Sequence, residues 1–347
     1  MGPAGLPGVN PGHIWIANST QSTISRINTT TLAEEGRYLT REDGAGSPSR
    51  TSVSLSGNVA VANRSGGLTK FYGDLNDCVD TNNNGVIDTS MNDVSVPWAL
   101  EECRAWFLPG NYISQRPVAW TPGVQDPVSC LYEDELVWTA GVIDQGPIEV
   151  LRVDGETGVV TDSVQIPEVV PNFFGLYGGA VDPDGNFWAS QLGQGSLVRV
   201  DASTFAYDIW PMPASGYGMT VGASGYVFTC ASTLSRFDPV TETWDTLPNS
   251  GGNGGCVEDE QGRVWIGSNP LVAIDAATLM PVESIALPQY VHGVGVDFSG
   301  MVWGVSLSDD AYRIDPATGN FDTITGFQQP YTYSDMTGFA LASVAAP

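Results

Sequence analysis

The sequence repeats itself about every 40 residues, and this internal repeat constrains the fold more than any other feature. Each copy contains a glycine-led apolar strand, a polar turn with glycine, an aromatic strand, and a strand ending in R-x-D-x-x-T or a close variant. The four clearest copies span 178–204, 218–241, 254–278 and 293–318. Repeats of this length with alternating apolar positions are typical of the four-stranded blades of a β-propeller.

One aromatic residue marks the same position in the stronger copies. These anchors are Trp138, Trp188, Phe228, Trp265 and Trp303, at intervals of 37 to 50 residues. Weaker copies at 13–31, 51–73 and 136–157 bring the number of repeats to seven. The sequence therefore predicts an all-β fold, a seven-bladed β-propeller with four-stranded antiparallel blades.

The two ends of the chain are predicted to close the ring in one blade. The segment HIWIA at 13–17 opens blade 1, and MTGFALASV at 336–344 is predicted to supply its missing innermost strand. Sharing a blade in this way leaves no free sheet edge around the circle. We expect a flexible tail at 1–11, a single propeller domain over 12–347, and an insertion at 74–103 within blade 2.

The insertion contains a metal-binding motif. Residues 80–88 read D-T-N-N-N-G-V-I-D, which matches the ligand spacing of an EF-hand-type loop and predicts calcium. The predicted ligands are the side chains of Asp80, Asn82, Asn84 and Asp88 and the carbonyl of Val86.

The twelfth position of such a loop is a bidentate Glu, but here it is Met91. Glu102 is the predicted additional ligand, with Asp93 and Glu101 as alternatives. The loop resembles thrombospondin-type and dockerin-type calcium loops, in which the metal stiffens the segment. A polar turn whose side chains bond only their own backbone is the other interpretation.

Cys78 and Cys103 bracket this loop, and a disulfide between them is predicted to pin the insertion. Closing a loop of this length contributes roughly 3 to 4 kcal/mol on the chain-entropy model. The other three cysteines are Cys130, Cys230 and Cys256, and their pairing stays open. Two disulfides and one free thiol would suit an extracellular or periplasmic protein, whereas five reduced core thiols are the alternative.

The charge of the chain restricts its partners. It has 39 acidic and 13 basic residues, for a formal net charge of −26. Such a surface repels phosphate backbones and anionic lipid, so neither nucleic acid nor a membrane is an expected partner. The opening residues MGPAGLPG lack the pattern of a signal peptide, so we expect an export segment to have been removed. A monomer is expected.

The residues just before the innermost strands are predicted to face the mouth of the central channel. Read from the seven repeats, they are Arg50, Arg116, Tyr177, Tyr217, Asn253, His292 and Asp335. Such different polar side chains around one axis favour a pocket for a small molecule, peptide or glycan over an inert channel lining.

The repeats also resemble a known family. The H-G step at 292–293, the D-x-x-G turns and the V-W strands are similar to those of the streptogramin B (virginiamycin B) lyases. This resemblance implies a seven-bladed propeller. As an alternative function, it implies magnesium-dependent elimination on a cyclic peptide or ester, with His292 as the base. Residues 304–308 read G-V-S-L-S where the lyases have a glutamate-bearing segment. The leading hypothesis is therefore a binding module.

Overall fold

The computed structural model describes residues 12–143 and 146–345, and its main sheets number seven, as the repeat predicts. The predicted tail at 1–11 lies outside the described residues. Nearly all regular structure is antiparallel β-sheet, because the repeats alternate apolar and polar residues between Gly-, Asn- and Asp-rich turns. Within the described part of the chain, no helix is both long and apolar enough to cross a lipid bilayer.

The first three blades span residues 13–166. Blade 1 contains β1 (His13–Asn18), β2 (Thr23–Asn28) and β3 (Glu34–Leu39). Blade 2 contains β4 (Pro48–Val53), β5 (Val59–Asn63), β6 (Leu68–Phe71) and, after the insertion, β7 (Arg104–Leu108). The insertion includes two 3-10 helices, Leu75–Asp77 and Trp98–Leu100. In blade 3, β8 (Ser114–Trp120) is followed by a hairpin of β9 (Val124–Gln125) and β10 (Tyr132–Glu133), then β11 (Leu136–Val142), β12 (Ile148–Asp154) and β13 (Val160–Ile166).

The last four blades each contain four consecutive strands. Blade 4 has β14 (Leu176–Val181), β15 (Phe187–Gln191), β16 (Ser196–Val200) and β17 (Tyr207–Pro211), and blade 5 has β18 (Gly218–Val221), β19 (Val227–Cys230), β20 (Thr233–Asp238) and β21 (Thr243–Pro248). Blade 6 has β22 (Cys256–Glu258), β23 (Arg263–Ile266), β24 (Leu271–Asp275) and β25 (Pro281–Ile285), and blade 7 has β26 (Val291–Val296), β27 (Val302–Ser306), β28 (Asp310–Ile314) and β29 (Phe321–Thr325). The innermost strands β4, β8, β14, β18, β22 and β26 contact one another in this order around the central axis.

The ring closes through a C-terminal segment that runs beside β1. The backbone N–H of Ser19 donates to Gln329 O at 3.4 Å, Tyr331 N–H donates to Ala17 O at 3.2 Å, and Trp15 N–H donates to Met336 O at 2.9 Å. Residues 329–336 thus occupy the innermost position of blade 1, and both ends of the chain meet in one blade as predicted.

The predicted strand at 336–344 is wrong. Only its first residue lies against β1, and Phe339–Ala345 form a helix, α1. The cause is local, because Asp335 accepts hydrogen bonds from the backbone N–H groups of Gly338, Ala340 and Leu341. Gly338 also has a φ of +82°, which ends an extended segment. A polar cap followed by a turn therefore starts a helix here.

Helix α1 fills one end of the channel. It contacts β14, β18 and β26, and Thr337 Oγ1 just before it donates to Val296 O, at the end of β26, at 2.6 Å. Val53, the last residue of β4, donates its N–H to Asp335 O at 3.1 Å. The helix thus lies where the innermost strands end. The opposite end, where they begin, is the mouth.

The repeated aspartates support the blades. The indole N–H groups of Trp188, Trp265 and Trp303 donate to Asp182, Asp259 and Asp297, each at 2.8 Å. In the R-x-D-x-x-T strands, Asp154 accepts from Thr157 N at 2.7 Å and Thr157 Oγ1 at 2.6 Å, and the same pair recurs in other blades. These carboxylates satisfy turn backbones and buried indoles.

Candidate functional site at the channel mouth

Five of the seven residues predicted at the mouth lie together in one cluster. Four belong to the innermost strands β4, β8, β14 and β26 near their starts, and the fifth directly precedes β18. They are Arg50, Arg116, Tyr177, His292 and Tyr217. Neighbouring innermost strands converge toward the axis, so their first side chains come within contact distance of one another.

A line of polar atoms connects the aromatic members of this cluster. Tyr331 Oη lies 2.6 Å from Tyr177 Oη, and Tyr177 Oη donates to Tyr217 Oη at 3.2 Å. Tyr217 Oη in turn lies 2.9 Å from His292 Nε2. The rings of Tyr217 and His292 pack edge to face with centroids 4.9 Å apart. Aromatic packing and hydrogen bonding together hold these groups in place.

Three arginines lie against the aromatic rings. The guanidinium of Arg50 packs on the rings of Tyr333 and Tyr177, and that of Arg116 lies 4.7 Å from the centroid of Tyr177. Arg64 lies 4.0 Å from the centroid of Tyr331. Cation–π contact compensates part of the cost of burying these charges, but it does not use the N–H groups in the guanidinium plane.

Several buried polar atoms of the cluster have no hydrogen-bond partner among the described residues. On the arginines they are Nη2 of Arg50, Nε and Nη1 of Arg116, and Nε of Arg64. Nδ1 of His292 and Oη of Tyr333 also have no hydrogen-bond partner among these residues. Buried polar atoms are normally paired, and unpaired ones concentrated in one place indicate a site that is completed by another group.

The histidine of the cluster is neutral at physiological pH. Burial, together with the nearby charges of Arg50 and Arg64, lowers the pKa of His292 to about 3. Burial raises the pKa of Tyr331 to about 12, so this hydroxyl keeps its proton. The positive charge of the mouth therefore comes from arginine and not from histidine.

Sequence reasoning missed four members of the site, Arg64, Phe174, Tyr331 and Tyr333. The alternation Y-T-Y at 331–333 was the available signal, because it places two tyrosines on one face of an extended segment. Arg64 follows β5, and only the closed ring brings it to Tyr331. Phe174 reaches Arg116 from the loop before β14, with 4.9 Å between guanidinium and ring centroid.

Two predicted mouth residues lie outside this cluster. Asn253 is exposed in the loop before β22, and the same loop approaches the cluster at Gly255, whose N–H donates to His292 O at 2.7 Å. Asp335 lies at the helix end of the channel, where its carboxylate caps α1 and borders a cavity of about 30 Å³ next to Leu341. In blade 1, Tyr331 and Tyr333 lie at the mouth, where Asp335 was predicted. Burial raises the pKa of Asp335 to about 6.

The side chains of the predicted calcium loop bond to the backbone of the loop itself. The Asp80 carboxylate accepts from Asn84 N at 3.2 Å and Gly85 N at 2.9 Å, and Gly85 has a φ of +87°. The side-chain amides of Asn82 and Asn84 donate to the same oxygen of Asp88, at 2.7 and 2.8 Å. Three predicted ligand side chains therefore converge on one point.

Glu102 lies at the base of the loop. Its Oε1 accepts from Thr81 N at 2.8 Å and Asn82 N at 3.2 Å, and its Oε2 accepts from Asp88 N at 2.8 Å. These backbone bonds, that of Asp88 first, lower the pKa of Glu102. Its carboxylate thus clamps both ends of the loop.

The alternative ligands are placed differently. Glu101 accepts from Cys103 N at 3.0 Å and also bonds Thr89, so it holds the far side of the insertion. Asp93 and Val86 are exposed. Among the described residues, no cluster of three or more His, Cys, Asp or Glu side chains is arranged around a metal-sized point. Two of the four predicted ligand side chains within the loop, Asn82 and Asn84, are asparagines, which such a cluster does not include.

The structure contains two disulfides. Cys78 and Cys103 are joined as predicted, with their Cα atoms 4.6 Å apart. The second bond joins Cys230 of β19 to Cys256 of β22 and so links blades 5 and 6. Cys130 is free and partly buried. This is the predicted pattern of two disulfides and one thiol.

Similar folds occur among solved structures. Virginiamycin B lyase from Staphylococcus aureus aligns with a TM-score of 0.56 and 13% identity, over 83% of this chain and 89% of that chain. AztD from Citrobacter koseri gives 0.56 and 13%, over 92% and 96%. The dihydro-heme d1 dehydrogenase NirN gives 0.57 and 11%, over 91% and 64%. At these identities the likeness shows the propeller fold alone. No protein-family model and no curated protein sequence matches the chain.

Proposed function

We propose that this protein is an exported, calcium-binding propeller that binds a small molecule, peptide or glycan at the channel mouth. One observation carries the proposal. The cluster of Arg50, Tyr177, Tyr217, His292 and their neighbours contains six buried polar atoms that find no partner in the described part of the chain, four of them on arginine. A protein stabilises such a cluster poorly by itself, so a ligand that pairs these atoms explains the arrangement.

The mouth is open to a ligand on one side only. Tyr217, Tyr331 and Arg64 are partly exposed, whereas Arg50 and His292 lie beneath them with 0% and 4% exposure. Helix α1 fills the other end of the channel. A ligand would therefore contact the tyrosine hydroxyls first and reach the arginines by displacing the Tyr177–Tyr331 contact.

Equilibrium dialysis tests this function. The protein is dialysed against a defined mixture of neutral, cationic and anionic small molecules, short peptides and oligosaccharides, and retained compounds are identified by mass spectrometry. Tyr217→Ala is compared with Tyr226→Ala, a matched tyrosine on blade 5 outside the mouth. We expect at least one compound to be retained by wild type and Tyr226→Ala and lost from Tyr217→Ala. Equal retention of every compound by all three proteins would refute a site at the mouth.

The calcium proposal rests on the convergence of Asn82, Asn84 and Asp88. The two amide oxygens accept from the loop backbone, Asn82 Oδ1 from Asn84 N at 3.0 Å and Asn84 Oδ1 from Val86 N at 2.9 Å. Rotation of the amides by half a turn on metal binding would exchange these bonds for oxygens directed at Asp88, and with the carboxylates of Asp80 and Asp88 they would form the hard-oxygen set that calcium prefers. Glu102 completes the site by fixing the loop backbone. The residues present therefore fit the metal, whose contribution would be to stiffen the insertion.

Calcium titration of the melting temperature tests this site. We expect calcium to stabilise the wild type and Asp93→Asn, since Asp93 is an exposed carboxylate of the same insertion. Asp88→Asn removes the carboxylate at the point of convergence and should abolish most of the shift. An identical calcium response in the two variants would contradict the predicted ligand set.

Export is supported by the two disulfides, because such bonds persist in oxidising compartments. The net charge of −26 supports ligands other than nucleic acid or anionic membranes, and a monomer remains the proposed state. Expression in a reducing and in an oxidising compartment, followed by thiol counting, would check the first point. We expect one free thiol only in the oxidised product.

The lyase alternative is favoured by one observation, a neutral histidine at the mouth of a similar propeller. His292 Nε2 contacts Tyr217 Oη, and a neutral imidazole can accept a proton. However, its described neighbours are arginines and tyrosines without a carboxylate. This donor set does not fit magnesium, which proteins bind through carboxylate oxygens.

Incubation with a cyclic depsipeptide and magnesium tests this alternative. Ring opening by the wild type that disappears in His292→Ala would establish an enzyme. Unchanged substrate in both samples would contradict the lyase alternative and leave the binding function as the proposal.

A further inference from the structure

We infer that the ligand of the channel mouth carries an oxyanion, a carboxylate or a phosphate, that is bound by Arg50, Arg64 and Arg116. This inference rests on the proposed binding function and names the chemical class of the ligand. It follows from the charge balance of the cluster and from the chemistry of the atoms that have no partner among the described residues.

The three mouth arginines differ from most other arginines of the chain. Within the described residues, ion pairs with Asp or Glu hold the guanidinium groups of Arg37, Arg41, Arg152, Arg199, Arg236, Arg263 and Arg313. Arg50, Arg64 and Arg116 have no such pair in the same part of the chain, although the sequence has three times more acidic than basic residues. Three cations therefore lie together without a protein anion in a strongly acidic protein.

These cations also repel one another. Burial and the charges of Arg116 and Arg64 lower the pKa of Arg50 well below its usual range, and burial followed by Arg116 lowers that of Arg64. Guanidinium groups stay protonated in proteins, so the cost appears as an unfavourable charge interaction. An anion bound between the three guanidinium groups would offset this repulsion.

The unpaired atoms are those that an oxyanion needs. Arg116 has Nε and Nη1 free, which are separate N–H donors of one planar group, and Arg50 and Arg64 each add one more nitrogen. Guanidinium donors bind carboxylate and phosphate oxygens through short, charge-assisted hydrogen bonds. A neutral sugar or apolar group would leave the positive charges uncompensated.

The remaining polar atoms suit the same ligand. Tyr333 Oη has no partner within residues 12–143 and 146–345 and can donate, and neutral His292 can carry its proton on Nδ1 while Nε2 accepts from Tyr217. These groups add donors without adding charge. The burial of the cluster restricts the anionic group to a small one, which separates this site from a surface that binds nucleic acid.

Isothermal titration calorimetry with matched ligand pairs tests the inference. The pairs are succinate against succinamide and glycerol phosphate against glycerol, which keep similar size and change the charge. We expect at least one anion to bind and its neutral partner to bind at least about tenfold more weakly. The pair that responds identifies whether carboxylate or phosphate is recognised.

Three variants locate the binding. Arg116→Met removes the charge and should weaken anion binding by about tenfold to hundredfold, and Arg116→Lys should restore part of it. Arg199→Met is the control, because it makes the same change of net charge among the aspartates of blade 4. Added sodium chloride should weaken anion binding to the wild type, which provides a measurement independent of the folding of any variant.

Each contrary result has a distinct meaning. Failure of both anions to bind, equal binding of charged and neutral partners, or equal affinity of wild type and Arg116→Met would overturn the anion inference. If dialysis then still finds a neutral compound that depends on Tyr217, the binding function stands without the oxyanion. If no compound depends on Tyr217 either, both proposals fail.

Discussion

The two disulfides allow a matched test of what cross-links contribute to a propeller. Cys78–Cys103 encloses a sequence separation of 25 residues and Cys230–Cys256 one of 26. On the chain-entropy model, each bond stabilises the folded state by about 3.5 kcal/mol through restriction of the unfolded chain. All four cysteines are buried, with exposures of 8%, 0%, 0% and 5%. Loss of packing should therefore also be similar for the two pairs.

Each disulfide is removed in one double variant. The first carries Cys78→Ala and Cys103→Ala, and the second carries Cys230→Ala and Cys256→Ala. Urea unfolding is followed by tryptophan fluorescence in the presence of a calcium chelator, so that metal binding does not bias one pair. We expect both variants to lose about 3 to 5 kcal/mol of unfolding free energy. A difference of more than about 2 kcal/mol between them would refute the entropic reasoning, because the loop lengths are nearly equal.

Two further predictions concern the closure of the ring. Burial raises the pKa of Asp335 from 3.8 to about 6, so this carboxyl binds a proton more tightly in the folded state than in the unfolded state. Its contribution to stability is therefore lost as pH rises through about 6. The difference in unfolding free energy between wild type and Asp335→Asn should change by about 3 kcal/mol between about pH 3 and pH 7, and a constant difference would contradict this. Gly293→Ala should destabilise by about 1 to 3 kcal/mol or more, because a Cβ there overlaps the carbonyl of Thr332. Gly295→Ala, whose Cβ meets only the end of Met336, should cost less in the same thermal unfolding assay.

Local repetition made the fold predictable from the sequence. The period and the alternation within each repeat specify blades, and in three repeats a turn aspartate accepts from the buried indole, as Asp297 does from Trp303. The insertion and its disulfide were visible because a ligand pattern lies between two cysteines.

The segments that occur only once were harder to predict. Residues 336–344 alternate small and apolar residues, which fits a strand, yet Asp335 and Gly338 start a helix. Five members of the candidate cluster were predicted from equivalent positions in the repeats, among them Tyr177 and His292. Arg64 lies outside that register, and its place in the site depends on the closed ring, which no local pattern encodes.

The closing segment at 329–336 has a consequence for how the protein is made. β1 precedes the other strands of the ring in the chain, but among the described residues its inner edge is paired by 329–336, which follow all the other blades. Until those residues have been synthesised, that edge stays open and able to pair with another chain. Maturation should therefore depend on keeping the early blades apart from one another until residues 329–336 arrive, and a chain truncated before Gln329 should accumulate as aggregate although six complete blades have been made.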